Sequence, residues 1–80
     1  MSILSVKIQP LAVDVMCSDD ALRVALADGR AVSVPLVWFP RLENATPQER
    51  KNWRLIGGGL GIRWDALDAD VSVESLLRSR

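Results

Sequence analysis

Apolar and polar positions alternate at the start of the chain. Leu4, Val6 and Ile8 stand between Ser5, Lys7 and Gln9, and a period of two over β-branched and aliphatic residues predicts a strand across Ile3–Val15. Pro10 cannot donate to a ladder, so it marks an edge, a bulge or a break before an extended course resumes from Leu11 to Met16. Ser18, Asp19 and Asp20 form a polar turn. Leu22, Val24 and Leu26 then alternate with Arg23 and Ala25, and Val32 and Val34 share a face after Asp28-Gly29. An Asp-Gly pair between two alternating runs predicts a β-hairpin with a type I′ turn, in which both central residues have positive φ.

Beyond Pro35 the pattern changes. Leu36, Val37, Trp38 and Phe39 crowd together before Pro40, a spacing that suits a short helical turn as well as the end of a strand. Thr46-Pro47-Gln48-Glu49 reads as a helix start, with Thr46 as N-cap, proline at the first helical position and Glu49 closing a capping box. This helix is expected to reach Trp53 or Leu55, where Gly57-Gly58-Gly59 breaks it. Gly61–Trp64 resembles a short strand. A second helix is expected over Asp70–Arg78, capped by Asp70 or Ser72, with Val73, Leu76 and Leu77 as its apolar stripe. Together these elements predict one α+β domain over residues 1–80. Its expected architecture is two-layer: an antiparallel sheet of three to four strands, with the Asp-Gly hairpin, covered by two short helices.

Composition narrows the function. Ten basic residues balance ten acidic ones and there is no histidine, so no global field holds a polyanion and non-specific nucleic-acid binding is disfavoured. Arg50, Lys51 and Arg54 could still form a local basic patch, which leaves weak nucleic-acid contact, as in a transcription-related domain, as an alternative. Cys17 is the only cysteine, which fits a reducing cytoplasm and excludes an internal disulfide. No apolar run approaches the roughly 20 residues needed to cross a bilayer, and Met1–Pro10 lacks the layout of a signal peptide.

Candidate chemistry is thin. Gly57, Gly58, Gly59 and Gly61 could cradle a phosphate, but no Lys-Ser or Lys-Thr pair follows and a strand stands where a helix start is needed. A flexible turn is the better reading. Asp65, Asp68, Asp70 and Glu74 could by number hold a hard cation. Their spacing, interrupted by Leu67 and Val71 with no glycine inside, fits turns and helix caps instead. Without histidine the usual general base for Cys17 or a serine is missing, and the lysines at Lys7 and Lys51 fall on exposed elements. The expectation is a protein that is not an enzyme and has no metal or cofactor. What remains is bulk: Trp38, Phe39, Arg41, Trp53, Arg54, Arg63 and Trp64 are rich in the residue types that dominate interface energetics. At least two of the three tryptophans should belong to the core or its rim. Trp38, Pro40, Arg41, Trp53 and Arg54 are therefore the expected partner-binding set. An open sheet edge in so short a chain also makes a homo-oligomer an expectation.

Val34-Pro35-Leu36-Val37-Trp38-Phe39-Pro40-Arg41-Leu42, then Asn44-Ala45-Thr46-Pro47 and Trp53-Arg54-Leu55-Ile56-Gly57-Gly58-Gly59, make the chain resemble a bacterial family known as domain of unknown function 2442. The likeness extends from Asp28-Gly29-Arg30 through Gly61–Trp64 to Asp68, Asp70, Ser72 and Leu76-Leu77. It implies a small β-rich domain followed by a helix, and a protein partner encoded alongside in the style of a toxin–antitoxin pair. Some longer members carry a C-terminal helix-turn-helix that this sequence does not include, so the resemblance implies no DNA-binding role for this chain alone. It supplies no catalytic residues.

Overall fold

The computed structural model describes residues 10–78. The expected strand positions Leu4, Val6 and Ile8 lie outside the described residues. Within them the chain forms two antiparallel three-stranded sheets and three short helices, an α+β fold. The single sheet of three to four strands is thus corrected to two sheets, and the two helices to three.

The first sheet has the order β1-β2-β3, with β1 at Ala12–Cys17, β2 at Ala21–Leu26 and β3 at Ala31–Pro35. Leu22, Val24 and Leu26 are buried while Arg23 is exposed, so the period-two pattern maps onto the two faces of the sheet. Ala27-Asp28-Gly29-Arg30 connects β2 to β3, closed by Gly29 N–H donating to Leu26 O at 3.1 Å and Leu26 N–H donating to Arg30 O at 2.8 Å. Gly29 has φ +95°, yet Asp28 is not in the positive region. The type I′ expectation therefore gives way to a four-residue connection with one left-handed glycine. Asp28 acts through its side chain instead, accepting from Arg30 N–H at 3.0 Å and pairing with Arg30 Nε at 2.7 Å.

After β3 a 3₁₀ turn spans Leu36–Trp38, followed by α1 at Pro40–Glu43 and α2 at Pro47–Lys51. The Thr46 capping box is complete: Glu49 N–H donates to Thr46 Oγ1 at 3.1 Å, and Thr46 N–H donates to Glu49 Oε1 at 2.9 Å. We expect Thr46→Ala to cost about 1 kcal/mol, read from chemical denaturation. A loss within error would show that α2 is held by its packing alone.

The helix stops at Lys51, short of the expected Trp53 or Leu55, and Arg54–Ile56 is instead β4. It joins β5 at Gly61–Trp64 and β6 at Ala69–Ser72 in a second sheet of order β4-β5-β6. Asp70 consequently lies within a strand and caps nothing. Helix α3 covers Val73–Arg78, and Ser75 N–H donates to Ser72 Oγ at 3.2 Å, which makes Ser72 the capping residue.

One buried cluster draws on both sheets and two helices: Leu22, Val24 and Val34 from the first sheet, Ile62, Trp64 and Val71 from the second, Leu42 from α1, and Val73 and Leu76 from α3. Ala12 N–H of β1 donates to Gly59 O, in the turn between β4 and β5, at 2.7 Å and so joins the two sheets. Trp64 is fully buried and donates its indole Nε1–H to Arg50 O at 3.0 Å, which satisfies its polar group within the core. None of the helices among the described residues is long and apolar enough to cross a membrane.

Candidate functional site

The segment from Pro35 to Leu42 is pinned by two core anchors, Leu36 and Leu42, each 1% exposed. Leu36 N–H donates to Asp20 O at 2.8 Å, and Leu42 and Glu43 N–H both donate to Phe39 O at 2.9 Å. With the anchors turned inward, Trp38 is left 44% exposed, between them in sequence and outside them in space. Trp38, Pro40 and Arg41 line a groove of about 500 Å³ together with Arg63, Asp68, Ala69, Asp70 and Val71.

Charges at the groove are wired together. Arg63 donates from Nε to Asp65 Oδ1 at 2.9 Å, from Nη2 to Asp68 Oδ1 at 2.9 Å and from Nη1 to Asp70 Oδ2 at 3.3 Å. Arg54, which sits opposite Arg63 in the β4–β5 register, grips Asp65 through Nε at 2.7 Å and Nη2 at 3.2 Å. Arg41 Nη1 donates to Asp68 O at 2.6 Å and Leu67 O at 3.3 Å, and lies 3.7 Å from Asp68 Oδ2. Asp68 itself has φ +49°, the left-handed conformation that ends the 3₁₀ turn Asp65–Leu67 and turns its carboxylate toward Arg63.

Hydrogen bonds from Arg54 and then Arg63 hold the Asp65 carboxyl below its ordinary pKa, and the bond from Arg63 does the same for Asp68. The same contacts raise the pKa of Arg54, through Asp65, and of Arg63, through Asp68 first. A carboxylate with a depressed folded pKa contributes stability that is complete above its unfolded value, about 4, and is lost as pH falls through the folded value. We therefore expect the side-chain carbonyl resonances of Asp65 and Asp68 to titrate below those of an unpaired aspartate. In Arg63→Gln both should move up, Asp68 the more; unchanged titrations would show that the pairs do not persist in solution.

The structure divides the expected partner-binding residues. Trp38, Pro40 and Arg41 share the groove, and Arg54 joins it indirectly through Asp65. Trp53, half-buried, lines a separate depression with Met16, Cys17, Arg50 and Lys51. Burial raises the Cys17 thiol above its ordinary pKa. Arg50 is 7% exposed and so is withdrawn from the possible basic patch with Lys51 and Arg54. Its Nε donates to Leu42 O at 2.8 Å, its Nη2 to Glu43 O at 2.7 Å and its Nη1 to Asp19 Oδ1 at 3.0 Å. The glycine run forms the β4–β5 turn, with Gly57, Gly58 and Gly59 all at positive φ. Asp68 and Asp70 are groove residues that reading them as turn and cap formers missed. Charges spaced two, three and two apart along Arg63, Asp65, Asp68 and Asp70 carry the available signal.

Residues 12–80 match the model of a family described as protein of unknown function (DUF2442). The chain belongs to the DUF2442 family. Among solved structures, this DUF2442 chain is similar to a protein of unknown function from Rhodospirillum rubrum, at 26% identity and a TM-score of 0.76, over 89% of this chain and 88% of that one. A comparison with curated proteins finds no match.

Proposed function

We propose that this DUF2442 domain is a non-catalytic protein-interaction module whose partner seats in the groove between Trp38–Arg41 and β6. The observation that carries the reading is Trp38: a large indole held 44% open to solvent, beside Pro40 and Arg41, on a backbone fixed by buried anchors on either side. Tryptophan and arginine next to a concave surface are the composition of an interface centre, and a pre-set backbone lowers the entropy lost on binding. The raised thiol pKa of Cys17 and the absence of histidine both fit a role without nucleophilic catalysis. The family resemblance points to a partner encoded alongside, in the style of a toxin–antitoxin pair.

The test is affinity purification of the tagged chain from its native host, in parallel with Trp38→Ala. The wild type should retain a specific protein that the variant loses while keeping its fold. Equal retention by both would remove the groove from the reading, and no specific protein would remove the reading.

Self-association is a second reading, favoured by β1, an edge strand among the described residues, on which Val13 and Met16 are exposed. Sedimentation that returns a monomer at micromolar concentration would eliminate it.

A further inference from the structure

Resting on the groove as a protein-binding site, we infer that it accepts an extended, acidic segment of the partner, which adds to β6 as a further strand of the second sheet. Three observations lead there. First, among the described residues β6 is an edge strand that pairs with β5 alone. Among the described residues its main-chain groups make no other main-chain hydrogen bond, so alternate residues of β6 offer free N–H and C=O groups on the side away from β5.

Second, the groove runs along that edge. Its lining includes Asp70, which shares the exposed face with Arg63, and also Ala69 and Val71, which are turned the other way. A cavity touched by residues from both faces of one strand lies beside the strand. The Trp38–Leu42 segment lines the same groove, so an extended backbone laid along β6 would meet Trp38 and Pro40.

Third, the hydrogen-bonding capacity of the groove's charges is unevenly used. Arg63 spends donors on three aspartates. Arg41 is engaged only through Nη1, which lies on the carbonyls of Leu67 and Asp68 immediately before β6. Its Nε and Nη2 have no partner among the described residues, and its side chain is 64% exposed. That open edge of a guanidinium matches a carboxylate bidentately, so a segment entering along β6 meets an acid-binding position at the end of the strand. Main-chain pairing with a fixed side-chain contact is the pattern of strand addition.

The full chain can be panned against a random octapeptide display library, and the enriched peptides titrated into labelled protein by NMR. Enriched sequences should carry Asp or Glu, and binding should shift the amides of Ala69–Ser72 together with the Trp38 indole. Changing the peptide's Glu to Gln should weaken binding about fivefold. Arg41→Gln should weaken the parent peptide about as much and erase the difference between the two peptides, and N-methylation of alternate peptide amides should abolish binding. Peptides that shift Trp38 but leave the β6 amides untouched, or that show no acidic preference, overturn strand addition while the groove reading stands. Peptides that bind without shifting Trp38, or no enrichment at all, overturn both. Hydrogen exchange of the free chain separates the other occupants. Groove-side β6 amides protected in the monomer mean that the chain covers its own edge, and protection only in a dimer means that a second copy does; either result overturns the inference.

Discussion

Replacing Arg50 by methionine is expected to lower unfolding free energy by about 3 kcal/mol, read as a fall in the urea midpoint with an unchanged slope. The size of the effect comes from what the guanidinium does. Its side chain is 8% exposed, and it donates to the last carbonyls of α1, Leu42 O and Glu43 O, at 2.8 and 2.7 Å. Methionine keeps the apolar stem but leaves those acceptors without their charged donor. Such bonds to a charged group contribute about 1.5–3 kcal/mol each, and water can reach exposed Glu43 to recover part of that. The ion pair with Asp19 matters less: Asp19 is 89% exposed, so Asp19→Asn should cost less than about 1 kcal/mol. Equal losses from the two substitutions would show that the salt bridge, and not the carbonyl clamp, holds α1 in place.

Gly59→Ala is expected to destabilise by about 3 kcal/mol or more, and to disturb the first sheet as well as its own turn. Gly59 has φ +110°, and a Cβ built there would meet Ala12 O at 2.7 Å and Ala12 N at 3.2 Å. The backbone conformation alone costs an L-residue on the order of 1–3 kcal/mol. The clash adds to this because neither Ala12 atom can rotate away, and Ala12 N–H is the donor to Gly59 O that joins the sheets. Gly58 is the control. It has φ +69° but nothing within 4 Å of an added Cβ, so Gly58→Ala should carry the conformational cost alone. Denaturation of the two variants side by side separates strain from collision; identical losses would mean that the Ala12 contact adjusts freely.

Local chemistry was legible in the sequence where a few neighbouring residues decide the outcome. Thr46-Pro47-Gln48-Glu49 names a helix start because donor, acceptor and fixed φ all lie within one turn, and the box closes as read. Gly61–Trp64 is a strand as expected. Val73, Leu76 and Leu77 do lie on one helix, but Asp70 and Val71 in front of them belong to a strand, because β6 is recruited by pairing with β5 and not by its own composition. For the same reason β4 was read as the tail of a helix: three residues, Arg54-Leu55-Ile56, cannot display a period, and only their partners Arg63, Ile62 and Gly61 make them extended. From sequence Arg50 stands only as one member of a possible basic patch with Lys51 and Arg54. Its burial depends on two carbonyls eight and seven residues away, and no charge pattern announces a carbonyl. At the groove, Trp38, Pro40 and Arg41 could be nominated by type, whereas the role of Asp68 follows from a left-handed backbone that a non-glycine residue seldom adopts.

The three indoles occupy three unlike environments: Trp64 sealed and hydrogen-bonded, Trp53 half-covered, Trp38 open. Intrinsic emission should therefore be a sum of a short-wavelength, quencher-resistant component and a longer-wavelength one reached by iodide. Filling the groove would blue-shift and protect only the second, whereas unfolding would move the first. One unlabelled sample in a fluorimeter can thus tell occupancy from denaturation.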